Sequence, residues 1–296
     1  MYKASGSTVR HDLVRKEKRG DMKRFPNKRI VITGAASGLG RSVAVEFAKL
    51  GWKVMVADVN RDGADETVEM VKQSGGESMA AECDVTRYEQ VENLAELAVS
   101  QWGGADIVVN NAGVLAVGSM EAVSLEDWKW ILDINLMGVI HGCRAFVPLM
   151  KQQKNGYIVN VASAAGFCAL AEMSPYNVTK AGVISLSETL KPELKSYNIG
   201  VSVVCPTFFP THLMDRTRST HSKAYNRMDA FFQKSIGTAE GVSRHIIRSI
   251  RKNRFYVVTQ PDAKLWWFLK RHFPNLYLSF QSIVFGRGIL DKVIGV

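Results

Sequence analysis

Residues 29–51 read RIVITGAASGLGRSVAVEFAKLG, and this stretch decides the fold. Its opening run, RIVIT, is β-branched and reads as a buried strand. The glycines end that strand in distinct ways. Gly34 permits a tight turn, Gly38 lets the backbone approach a pyrophosphate, and Gly40 allows a helix to pack closely on the strand. The segment after them has helical periodicity and stops at Gly51. A helix N-terminus presented by such a turn attracts phosphate groups through unpaired N–H donors and its dipole. A glycine cluster alone also fits an ordinary tight turn; set between a strand and an amphipathic helix, it points to a bound nucleotide.

The alternation continues down the chain. Strand-like runs occur at KVMVAD (53–58), SMAAECDV (78–85), DIVVNNAG (106–113), YIVNVAS (157–163), GVSVVC (200–205) and FYVV (255–258). Helical patterns fall between them, including long ones over about 125–151, 174–196 and 239–252. The strands are continuous apolar runs, as expected where helices cover both faces of a parallel sheet. The predicted fold class is therefore α/β, a Rossmann-type doubly wound parallel sheet with helices on both faces. Asp58 ends the second strand 18 residues after Gly40, where a carboxylate can accept hydrogen bonds from ribose hydroxyls and repel a 2′-phosphate. That favours NAD over NADP; the plainer alternative is a loop carboxylate.

Further residues complete a recognisable set. Tyr176 and Lys180 form YxxxK, a spacing that puts both on one helix face. Ser163 ends a strand 13 residues before Tyr176, Asn135 lies in DINLMG, and Asn110-Asn111-Ala112-Gly113 follows the fourth strand. With TGxxxGxG, these residues resemble the short-chain dehydrogenase/reductase family over residues 29 to about 258. The resemblance implies hydride transfer between a nicotinamide cofactor and a secondary alcohol or ketone, with Asn135, Ser163, Tyr176 and Lys180 as the catalytic tetrad. Tyr176 would act as the base, its pKa lowered by Lys180 and the oxidised nicotinamide. Ser163 would hold the substrate oxygen and Asn135 a water. The implied cofactor contacts are Gly34, Ser37, Gly38, Leu39, Gly40, Asp58, Asp84, Val85, Asn111, Ala112, Gly113, Tyr176 and Lys180, with Phe209 and Thr211 after the sixth strand. Thr207 stands where the family usually has glycine, which leaves the path of that loop open.

The chain has 296 residues, 46% of them apolar, enough for a sizeable core. Its net charge of +10 is unevenly placed. Residues 1–29 hold ten basic and three acidic side chains and residues 251–296 hold eight and two, whereas the body between is slightly acidic. A nucleic-acid reader would carry its basic stripe on the folded body, so that class is excluded. Cys83, Cys143, Cys168 and Cys205 show no CxxC spacing, and His212 and His221 have no partners at ligand spacing, so no metal site is expected. The cysteines and the lack of an apolar leader predict a cytoplasmic protein, with a membrane surface as the other possibility.

Residues 1–28 read as a basic mobile arm, 29–258 as one catalytic domain, and 259–296 as an extension. Within the domain, residues 207–237 would form the substrate loop, and Phe208, Phe209, Leu213, Met214, Met228, Phe231 and Phe232 an apolar lid. A lipophilic substrate follows, or else simple packing of the lid. The extension is rich in aromatics, among them Trp266, Trp267, Phe268, Phe273, Tyr277, Phe280 and Phe285 beside Lys264, Lys270 and Arg271. It reads as a peripheral membrane contact, or as extra helices packed on the substrate loop or another subunit. The resemblance implies a homodimer or homotetramer. A non-catalytic nucleotide sensor and a membrane-surface enzyme acting on sterols, retinoids or long-chain alcohols remain the competing readings.

Overall fold

The structure is a computed structural model that describes residues 22–289. Seven parallel strands form one sheet: β1 (Arg29–Thr33), β2 (Lys53–Asp58), β3 (Glu77–Glu82), β4 (Ile107–Asn110), β6 (Gly156–Val161), β7 (Ile199–Cys205) and β9 (Tyr256–Val258). Their order is β3-β2-β1-β4-β6-β7-β9, so the winding reverses between β1 and β4. A crevice opens at the carboxyl ends of the strands at such a reversal. Two-residue strands β5 (Ala116–Val117) and β8 (Arg218–Ser219) pair separately above it.

Alternate side chains of each strand feed opposite core layers. Ile30, Ile32, Val54, Val56, Ile107 and Val109 pack beneath helices α1 (Gly38–Ala48), α2 (Arg61–Gln73) and α9 (Ala239–Arg251). On the other face, Val31, Met55, Val108, Ile158 and Val203 meet α3 (Tyr88–Trp102), α5 (Gly138–Gln153) and α7 (Ser174–Glu193). The predicted α/β sheet, helices on both faces, is the fold observed. The bottom edge is tied by Arg29, whose guanidinium and backbone N–H both donate to the buried Asp106 carboxylate.

Three features depart from the sequence reading. Residues 22–28 belong to the packed chain rather than to an arm ending at 28: Phe25 is buried edge-on against Trp52 and Tyr157. Residues 1–21 and 290–296 lie outside the described residues. The expected long helix over 125–151 is α4 (Leu125–Leu132) and α5 joined through a π-helical turn at Asp133–Met137, which holds Asn135. Within the substrate loop, Ala224, Met228 and Phe232 bury one side of helix α8 (Ser222–Gln233). The extension forms two helices, α10 (Pro261–His272) and α11 (Pro274–Gly286), which lean on the short helix α6 (Ala165–Cys168).

Candidate active site

The turn after β1 is built for a close approach. Gly34 and Gly38 take φ of +63° and +54°, a region costly for residues with a Cβ. At Gly38 a Cβ would meet only Thr211, at 3.7 Å, so bare backbone faces the cleft. At Gly40 a Cβ would lie 2.2 Å from the Gly34 carbonyl, so this residue packs α1 onto the turn instead of lining the cleft. Ala112 stands likewise behind the lining, against Gly34. Asn111 locks the turn by donating its side-chain N–H groups to the Thr33 and Gly34 carbonyls, at 3.0 and 2.9 Å. Asn110, one residue earlier, donates to Asn160 inside the sheet.

One cleft of about 1120 Å³ runs from this turn across the sheet. Ser37, Leu39, Asp58, Asp84 and Val85 line one arm, with Asn111 and Gly113 at the centre. Asp58 accepts the Ala36 N–H at 3.0 Å and the Asn60 N–H at 2.9 Å, and a carboxylate retains lone pairs beyond those two. Asp84 accepts from the Thr86 backbone and hydroxyl, fixing the loop after β3. Arg41, a basic side chain lining the cleft, is tied to Glu66 at 2.9 Å and to the carbonyls of Ala36 and Gly63. A bare backbone cradle at a helix N-terminus, with a carboxylate at the end of β2, fits an adenine dinucleotide.

Ser163, Tyr176 and Lys180 converge at the other end of the same cleft. Tyr176 and Lys180 sit one turn apart on α7, both buried, with the Lys180 Nζ 5.5 Å from the Tyr176 ring centroid. Lys180 donates to the Val161 carbonyl at 3.0 Å. Burial lowers its pKa to about 8, with Cys205 opposing. The sequence reading expects Lys180 and the oxidised nicotinamide together to lower the Tyr176 pKa; in the protein by itself, burial pushes the phenol up to about 12, and the hydrogen bond with Ser163 offsets only part. Ser163 also accepts the Ala165 N–H at 3.1 Å.

Asn135 does not line the cleft. Its side chain accepts the Val114 N–H at 2.8 Å and donates to the Val114 carbonyl at 2.9 Å, with Thr179 a longer partner at 3.4 Å. It thereby fastens the π-helical turn to the strand-end segment behind Lys180. π turns are frequent at functional sites.

Phe209 and Thr211 line the cleft, and so do Phe208, Leu213, Met228, Phe231 and Phe232 of the predicted lid. Phe208 stacks on Phe231 with centroids 5.0 Å apart, so the lid packs on itself and faces the site at once. Met214 is buried beneath it. Among the histidines, His212 pairs with Asp215 at 2.8 Å and His221 caps α8. Arg227 of α8 forms an ion pair with Glu172 and lies 5.4 Å from the Phe285 ring centroid.

The far wall comes from the extension, which the sequence reads as extra helices packed on the substrate loop or another subunit, or as a membrane contact. Leu278, Phe280, Gln281 and Phe285 of α11 line the cleft. Tyr277 donates its hydroxyl to the Cys168 carbonyl at 2.9 Å, and Gln281 donates to the same carbonyl at 3.1 Å. At the other end of the extension, Gln260 accepts the Thr207 N–H at 3.0 Å, so the residue in place of the family's glycine anchors the extension. That departure at Thr207 and the aromatic run of the extension were the available signals.

Fold and cleft together define a dinucleotide-binding oxidoreductase. The profile of the short chain dehydrogenase family matches residues 28–222, and the chain belongs to that family. It is 29% identical over 262 residues to a CLA biosynthesis dehydrogenase/reductase of Lactiplantibacillus plantarum, covering 81% of this chain and 91% of that protein. It is 36% identical over 183 residues to the 3-oxoacyl acyl-carrier-protein reductase FabG of Staphylococcus epidermidis, 62% and 75% of the two chains. Among solved structures, a short chain dehydrogenase/reductase of Burkholderia phymatum in complex with NAD superposes with a TM-score of 0.78 at 33% identity, covering 84% and 94%.

Proposed function

We propose that this enzyme interconverts a lipophilic secondary alcohol and its ketone with NAD as the preferred cofactor. The observation that carries the reading is the convergence of Ser163, Tyr176 and Lys180 at one end of a cleft whose other end is the glycine cradle. When bound, the nicotinamide supplies or accepts the hydride. Ser163 holds the substrate oxygen by a hydrogen bond, and Tyr176 exchanges the proton with that oxygen. With its pKa near 12, Tyr176 is protonated at neutral pH, the form that serves ketone reduction. In oxidation the phenolate takes the alcohol proton, and the Lys180 ammonium beside it stabilises the charge. The amide hydrogens of the Asn135 side chain are engaged by the Val114 carbonyl and Thr179, which makes it a positioning residue for the segment beside Lys180.

Asp58 supports NAD: an added 2′-phosphate would meet a carboxylate, and Arg41 is already held by Glu66. The lid phenylalanines and the α11 wall support a lipophilic substrate. Exposed Leu125, Met137 and Val178 lie on the helices that would pair in a homodimer or homotetramer. Contact of the extension with a membrane surface belongs to the same reading. The test is Tyr176→Phe, assayed with a panel of ketones and alcohols graded by size. Turnover should vanish while NADH still quenches or shifts protein fluorescence; retained turnover refutes the assignment.

A further inference from the structure

Helix α11 carries no charged side chain, and only Tyr277 of it is buried. Phe273, just before it, and Leu276, Phe280 and Ile283 recur at helical spacing with exposures of 50%, 68%, 48% and 49%. Leu265 and Phe268 of α10 are also exposed. From Ala263 to Ile289 the chain has four basic side chains, Lys264, Lys270, Arg271 and Arg287, and no acidic one. An exposed apolar and aromatic helix framed by cations complements an anionic headgroup layer over acyl chains. A second copy of this chain fits less well, because a two-fold contact would set these cations against their own copies with no acid in the segment to pair.

The helix has 13 residues, a length of about 20 Å against the roughly 30 Å of a hydrocarbon core. It can lie in one leaflet but not cross. Among the described residues, the run long and apolar enough to cross is Leu125–Gln153, which is seated on the sheet through Val139, Phe146 and Met150. The apolar surface of α11 is continuous with the site: Phe280 and Phe285 are exposed and also line the cleft, with Leu278 beside them.

We infer that α11 docks into an anionic phospholipid surface and that substrate reaches Tyr176 out of the bilayer, past the α11 wall. The substrate class is then a membrane-dissolved secondary alcohol or ketone, an inference that rests on the oxidoreductase reading above. The experiment compares the full-length chain with the double variant Leu276→Asp/Ile283→Asp, neither side chain being part of the cleft. Flotation uses vesicles of phosphatidylcholine with and without phosphatidylglycerol. Turnover is measured on a short water-soluble ketone and on a long-chain secondary alcohol dissolved in the anionic vesicles. The wild type should float with the anionic vesicles and the variant should not. The variant should keep its rate on the soluble ketone and lose on the order of tenfold on the vesicle-dissolved alcohol. Absence of wild-type flotation, or equal flotation of both chains, overturns the docking. Equal rates on the vesicle-dissolved alcohol overturn delivery from the bilayer. If the substitutions instead convert a lipid-free dimer to a monomer without altering flotation, the surface is a subunit contact and the inference fails. Selective flotation with no wild-type turnover of either substrate supports the docking and refutes the alcohol–ketone reading of the site, and delivery with it.

Discussion

Replacing Lys180 by methionine should stabilise the cofactor-free protein near neutral pH while destroying its catalysis. Burial moves the Lys180 pKa from 10.5 to about 8, so its charge is costly in the folded state. At about 1.4 kcal/mol per pKa unit, that cost is roughly 3 kcal/mol at pH 7. Methionine removes the charge but also the hydrogen bond to the Val161 carbonyl, which is worth about 1 kcal/mol. The expected net gain is about 2 kcal/mol at pH 7. Between pH 8 and 10.5 the unfolded chain holds the Lys180 proton where the folded chain has released it, so wild-type stability from this group rises with pH. At pH 10 most of the penalty is gone and the variant should be close to wild type. Urea unfolding of both chains at pH 7 and pH 10 measures the difference; the buried cysteine thiols, raised by burial in both, cancel in it. A variant less stable than wild type at pH 7, or a gain that does not shrink with pH, would refute the reasoning.

Other substitutions test separate parts of the molecule. Gly40→Ala sets a methyl group 2.2 Å from the Gly34 carbonyl, where only backbone can yield. It should cost about 2 kcal/mol and weaken NADH binding at least about tenfold, as read by denaturation and fluorescence titration. Asp58→Ser removes the carboxylate opposed to a 2′-phosphate and should shift the ratio of NADH to NADPH affinities by about tenfold or more toward NADPH; an unchanged ratio would place cofactor choice elsewhere. Tyr277→Phe leaves Gln281 on the Cys168 carbonyl. It should cost about 1 kcal/mol and raise KM for bulky ketones several-fold, with kcat nearly constant. A fall in kcat alone would mean that the residue acts on the chemistry instead.

What could be read in the sequence was mostly what is decided locally. The β1 turn and α1 are contiguous, so their glycines carry the whole signal, and Tyr176 and Lys180 share one helix turn. Asn110 closes its strand and bonds Asn160 on the neighbouring one, a contact between two strands that the sequence does not pair. Phe25 escaped because a lone core aromatic among charged neighbours has no periodicity, although its partners Trp52 and Tyr157 lie far along the chain. The α8 helix was legible in principle: Ala224, Met228 and Phe232 recur every four residues. The wall formed by α11 was legible only as one of several readings of the extension, since it is seated by polar contacts from Tyr277 and Gln281 to a backbone carbonyl more than a hundred residues away.

The wide turn at Asp133–Met137 also sets the rotational phase of everything after it. A helix advances about 100° per residue, and a π turn accommodates one extra residue without breaking the rod. Before the turn, Ile131 points into the apolar cluster around Tyr176; after it, Val139, Phe146 and Met150 point into the sheet. Gly142 meets Asn110 so closely that a Cβ there would lie 2.0 Å from the amide oxygen. Deleting a single residue from 133–137 would remove the one the wide turn absorbs and leave α5 in phase with α4, whereas deleting one between Gly138 and Gly142 would swing the rest of α5 by about 100°. Gly142 would then leave Asn110, and larger side chains would turn toward it. The regular part of α5 therefore tolerates substitution far better than any change in length, and the wide turn is where a residue can be lost.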